Sequence, residues 1–124
     1  YNLAVVVDDA AQGVTEVVRG DDLASSTPSQ IQLCRLLGLP TPAYAHVPLV
    51  LGTDGERLAK RHGAVTLTDL GSLGLEPRAV LALLARSIGL ADADEQPDLD
   101  VLIDRFSWPR VPHTPWRFDT AELT

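Results

Sequence analysis

The chain has 124 residues, enough for one domain or two small ones with a genuine core. Apolar residues make up 45% and charged residues 22%, the balance of a folded globular protein rather than a disordered one. A net charge of −7 excludes broad, sequence-independent attraction to nucleic acid or anionic membrane, while leaving room for RNA contact through a local basic patch.

The first residue is Tyr1 rather than Met, and the apolar, β-branched run Leu3 to Val7 follows almost at once. That run reads as a strand buried on both faces, as in a parallel sheet, with Asp8-Asp9 capping its end. With no room for a leading turn, an N-terminal portion is expected to be missing. Val14 to Val18 reads as a second strand, closed by Arg19-Gly20. Thr27-Pro28-Ser29-Gln30 is a helix start: Thr27 can cap, Pro28 suits the first helical position, and Gln30 suits a capping box. Ile31, Cys34 and Leu37 follow on one face, and Gly38, Pro40 and Pro42 end the helix. Cys34 is the single cysteine, which leaves no internal disulfide and no cysteine metal site; its apolar face predicts a buried structural thiol. Val47 to Leu51 reads as a third extended segment, followed by a tight turn at Asp54-Gly55.

After Gly63 the pattern becomes helical. Thr68 to Leu70 suggests a short helical turn, Pro77 to Ile88 a strong amphipathic helix stopped by Gly89, and Leu99 to Phe106 another. The Ser107 to Phe118 tail, with both tryptophans, is expected to wrap irregularly, and Trp108 and Trp116 to pack onto Leu99 to Phe106 rather than stack on bases. The expected architecture is α/β over residues 1–63 and a small helical subdomain over 64–124. No apolar run reaches the length of a membrane span. The cytoplasm is the expected compartment.

One residue stands out chemically. Of the ten basic residues only Lys60 is a lysine, and it lies in Arg57-Leu58-Ala59-Lys60-Arg61-His62-Gly63 after a glycine-flanked turn. Arginine presents a planar fork, whereas lysine is a compact, mobile point charge suited to a phosphate whose geometry changes during reaction. The competing reading of this segment is a solvated basic turn. Asp8-Asp9 suggests no metal site, and Gly71-Ser72-Leu73-Gly74 is too weak a pattern for a phosphate loop.

Taken together, YNLAVVVDDAAQGVTEVVRG (Tyr1 to Gly20), STPSQ (Ser26 to Gln30), AHVPLVLG (Ala45 to Gly52) and RLAKRHG (Arg57 to Gly63) resemble, in this order, the glutamyl-tRNA synthetase group of class I synthetases. The resemblance is strongest over residues 1–65. Within the group it points to the compact glutamyl-queuosine tRNA(Asp) synthetases, which lack an anticodon-binding domain. It implies the C-terminal half of a Rossmann-type catalytic domain followed by a small α-helical subdomain. It also implies ATP-dependent activation of L-glutamate, with Mg²⁺, and transfer to the queuosine base in the anticodon of tRNA(Asp).

By this resemblance Lys60 is the essential lysine of the family's Lys-Leu-Ser-Lys loop, binding ATP phosphates and stabilising the departing pyrophosphate. Arg57, Leu58, Ala59 and Arg61 complete the ATP-binding loop, with Arg57 keeping a charge and Ala59 losing a hydroxyl. Arg19 and Tyr1 match residues that hold the glutamate. For Arg19, pairing with Asp21 or Asp22 is the structural alternative. His46 to Leu49 matches a segment beside the adenine that acts through its backbone, and His46 itself suits a structural role. No metal ligand is assigned here; any zinc site belongs to the missing half. A full-length monomer without membrane contact is expected, with the fragment inactive alone. Charging of tRNA(Glu), and an inactive paralogue that binds RNA or protein, remain as alternatives.

Overall fold

A computed structural model describes residues 1–59, 61 and 66–119. The chain divides into two compact units, Tyr1–Pro48 and Leu49–Thr124. The boundary expected at 63/64 falls among residues outside the description.

The first unit opens with a helix rather than the expected strand: α1 spans Asn2–Gln12. Val5-Val6-Val7 has strand character taken alone, yet burial follows a helical stripe. Val6 is buried, Asn2, Val5, Asp9 and Ala10 are half-buried, and Leu3, Val7 and Asp8 are exposed. Asp8 and Asp9 are therefore helical positions, not strand-end caps. Gly13 ends the helix in the left-handed conformation (φ 71°). Its N–H bonds Ala10 C=O and the Val14 N–H bonds Asp9 C=O, a Schellman arrangement. This stop claims Val14, so the following strand β1 runs Glu16–Gly20, two residues later than expected.

A 3₁₀ turn at Asp21–Ser26 leads into α2 (Thr27–Leu37), which ends at Gly38 as its sequence predicts. Strand β2 (Ala43–Val47) then pairs parallel with β1, from Glu16 opposite Ala43 to Gly20 opposite Val47. Helix α2 thus forms the crossover of a β-α-β unit, the connection a parallel pair requires. It packs beside α1. Cys34 on α2 is 2% exposed, the buried thiol expected.

In the second unit, β3 (Val50–Leu51) turns back through a hairpin. Leu51 bridges Arg57 antiparallel, the Leu58 N–H bonds Val50 C=O, and Gly55 at φ 81° closes the turn. The segment expected as one extended run is split at Pro48, which has no N–H to continue a ladder. Helix α3 (Leu67–Ser72) starts from a capping box between Thr66 and Asp69. Helices α4 (Pro77–Ser87) and α5 (Leu99–Arg105) follow the sequence expectation closely.

After a 3₁₀ turn at Trp108–Arg110, the tail forms β4 (Trp116–Arg117), which pairs parallel with β3. Trp108 meets Phe106 edge-on, with centroids 5.0 Å apart. Trp116 does not pack onto residues 99–106. It joins Val50, Leu58, Leu75 and Leu83 around the buried Leu70, Val80 and Phe118. The β3–β4 pairing draws it there, which an irregular tail would not. A second cluster holds Ala85, Leu90 and Leu102.

Candidate functional site

Arg19 lies at the C-terminal end of β1, opposite His46 of β2. Ligands of open parallel sheets collect at such strand ends. Thr27 and Gln30, three apart on α2, share the helix face that meets this end. Arg19 Nη1 donates to Gln30 Oε1 at 2.8 Å, and Nη2 donates to Thr27 Oγ1 at 2.8 Å and to the Leu23 carbonyl at 3.3 Å. Its Nε donates to His46 Nε2 at 3.4 Å. The guanidinium carbon also stands 5.1 Å from the centre of the Tyr44 ring, a cation–π contact.

Arginine only donates, so His46 Nε2 is the acceptor and the ring proton belongs on Nδ1. Thr27 Oγ1 lies 3.1 Å from the same nitrogen, so its hydroxyl accepts from Arg19 and donates to His46. Gln30 is 1% exposed, and its amide nitrogen donates to Asn2 Oδ1 at 3.0 Å. Burial pushes the Tyr44 phenol up; the nearby Cys34 thiol adds to this and Arg19 works against it. Every described acceptor around Arg19 is neutral, and the expected alternative partners Asp21 and Asp22 are not among them. The result is a rigidly held cation at a strand end, a fitting receptor for a carboxylate.

Tyr1 is 75% exposed and immediately precedes α1; its carbonyl accepts the Val5 N–H at 3.0 Å. The chain Asn2–Gln30–Arg19 places Tyr1 one residue from the Arg19 network. The two residues that the resemblance assigns to glutamate thus belong to one unit, with Tyr1 adjacent in sequence to the network's Asn2.

The loop residues lie in the other unit. Leu58 is anchored twice, by its N–H on Val50 and by its side chain in the Leu70–Val80–Phe118 cluster. Arg57 and Arg61 are exposed, and Arg61 Nε lies 3.9 Å from Asp54 Oδ2. Ala59 is half-buried. Lys60, His62 and Gly63 lie outside the described residues.

Asn2, Tyr44 and the side-chain roles of Thr27 and Gln30 were not foreseen. Thr27 is not the cap: Ser26 occupies that position, and no side chain caps the helix. The available signal was the i, i+3 spacing of Thr27 and Gln30 soon after Arg19. His46 is a satisfied structural histidine, as expected, with Arg19 and Thr27 as its partners.

The whole chain, residues 1–124, matches the family described as tRNA synthetases class I (E and Q), catalytic domain. The chain belongs to this synthetase family. A glutamyl-Q tRNA(Asp) synthetase of Nocardia farcinica is 62% identical over 116 residues, 94% of this chain and 36% of that protein. The same-named enzyme of Symbiobacterium thermophilum is 54% identical over 123 residues, 99% of this chain and 38% of that protein. A glutamate–tRNA ligase of Oleidesulfovibrio alaskensis is 47% identical over 124 residues, covering 26% of its length. The chain therefore spans little more than a third of these synthetases at most.

The crystal structure of a glutamate tRNA ligase from Elizabethkingia meningosepticum, in complex with its amino acid, superposes with a TM-score of 0.78. It is 25% identical, and the match covers 98% of this chain and 28% of that one. The class I catalytic-domain fold expected from the sequence is thereby shown for this mixed helix-and-strand chain.

Proposed function

We propose that the full-length protein activates L-glutamate with ATP and transfers it to the queuosine base in the anticodon of tRNA(Asp), in the cytoplasm. The observation that carries the amino-acid half of this reading is Arg19, a cation held at a parallel strand end by neutral partners, with Tyr1 beside its network. Its charge and its one uncommitted N–H, on Nη1, bind a carboxylate of glutamate and fix the substrate for attack on the α-phosphate of ATP.

The nucleotide half rests on the loop. Its base is anchored by Leu58, and its exposed Arg57 and Arg61 suit phosphate oxygens. Lys60 supplies the charge that follows the departing pyrophosphate, because adenylyl transfer depends on positioning and electrostatics. Among the described residues no group of three or more His, Cys, Asp or Glu could hold a metal. Mg²⁺ would enter with ATP and supply charge neutralisation to its phosphates.

The choice of acceptor is supported by identity: 62% and 54% to two glutamyl-Q synthetases, against 47% to a glutamate–tRNA ligase. The test incubates full-length protein, ATP and labelled glutamate with tRNA(Asp) carrying queuosine, tRNA(Asp) lacking it, and tRNA(Glu). Label on the queuosine-bearing tRNA alone is expected. Label on tRNA(Glu) would replace this reading with ordinary tRNA charging, and no glutamate-dependent adenylate at all would leave a binding paralogue.

A further inference from the structure

Gln30 is the one buried polar side chain among the described residues, at 1% exposure. Its amide oxygen receives Arg19 Nη1 at 2.8 Å, and its amide nitrogen reaches Asn2, next to Tyr1, at 3.0 Å. A carboxylate at this position would hold the guanidinium at least as tightly, since charge-assisted pairs are the stronger ones. A neutral amide holds the geometry and leaves the positive charge uncancelled. Thr27, the Leu23 carbonyl and His46 do the same on the other N–H groups, so four of the five donors are fixed without an ion pair.

We propose that Gln30 is a specificity-determining positioning residue. It orients Arg19 through a neutral bond, so that the cation's charge is spent on an anionic substrate side chain, and it locks Arg19 to the Tyr1 end of α1. This rests on the reading that Arg19 holds glutamate. Exchanging the amide for a carboxylate cancels the charge the substrate would see, at nearly constant shape. Discrimination between glutamate and its neutral isostere glutamine should then fall, because a site built around one hydrogen-bonding partner rejects the wrong one through groups left unpaired.

The experiment measures ATP–pyrophosphate exchange by full-length protein with glutamate and with glutamine, for wild type, Gln30→Glu, Gln30→Met and Arg19→Ala. Gln30→Glu should raise KM for glutamate about tenfold or more, the scale of losing the charged contact between Arg19 and the substrate carboxylate. It should lower the glutamate-over-glutamine preference in kcat/KM and leave KM for ATP unchanged. Gln30→Met, which keeps shape and charge but loses the bond, should raise KM for glutamate while preserving the preference. A Gln30→Glu protein with wild-type preference overturns the proposal. If that variant fails to fold, an unchanged KM for glutamate in Gln30→Met overturns it instead. If Arg19→Ala leaves KM for glutamate unchanged, the underlying assignment of Arg19 fails, an outcome separate from failure of Gln30 alone.

Discussion

Replacing Phe118 by Ala should remove a large part of the second unit's stability. Phe118 is 7% exposed and packs with Leu70 and Val80. Its ring lies 5.4 Å from that of Trp116, and its N–H bonds the Leu51 carbonyl at 2.8 Å. The backbone bond survives the substitution, so the loss is transfer free energy, cavity and ring contact. Phe-to-Ala changes in cores cost about 3–5 kcal/mol. A space of about 100 Å³ already adjoins the ring between Val50, Leu58, Leu70, Leu83 and Trp116, which lets neighbours relax inward and favours the lower half of that range. With a urea slope of about 2 kcal/mol/M, a loss of about 3 kcal/mol moves the midpoint by about 1.5 M. Tryptophan fluorescence follows the transition, because Trp116 sits in the same cluster. A midpoint shift under about 0.5 M would show that the tail does not complete this core, and would refute the placement of β4.

Gly13→Ala should cost about 1 kcal/mol in thermal or urea denaturation. Nothing lies within 4 Å of the added Cβ, so the cost is that of φ 71° alone, and Gly13→Asn should lose less. The Arg105 guanidinium, bonded to both Glu95 oxygens at 2.7 and 3.0 Å, holds that carboxyl down at about 2, with the Asp92 N–H assisting. A folded value below the unfolded one adds stability above pH 4.5 that is lost as pH falls toward about 2. The stability gap between wild type and Glu95→Gln should therefore close over that window, and a gap independent of pH would contradict it. The 124-residue chain alone should give no glutamate-dependent ATP–pyrophosphate exchange, since it spans 36% of its N. farcinica relative; measurable exchange would contradict this.

Local signals carried much of the fold. Gly38 and Gly89 stop their helices where expected, and Pro77 begins α4. Leu3 to Val7 misled because a five-residue β-branched run has no period of its own. The decisive facts lay further along, in Asp9, Ala10 and the Gly13 stop, which extend the stripe to eleven residues. Pairing across the chain was less legible. Nothing within Trp116-Arg117 announces a partner at Val50-Leu51, because parallel pairing is fixed by the packing of Leu70, Val80 and Phe118 around it. The position of Arg19 at the end of a strand was readable from its place after Val14 to Val18. Its shell was not, because Asn2, the Thr27–Gln30 pair and His46 come from three separate stretches, α1, α2 and β2, that only the folded unit brings together.

In the proposed function Arg19 receives the glutamate and Lys60 supplies the cation that handles the nucleotide's phosphates. Steady-state ATP–pyrophosphate exchange by the full-length protein tests it, comparing wild type with Lys60→Ala and Arg19→Ala at matched thermal stability. Lys60→Ala should lower kcat by about 10²–10³-fold, the scale of removing one transition-state charge contact, and Arg19→Ala should act chiefly on KM for glutamate. Undiminished exchange in the folded Lys60→Ala protein would contradict the account.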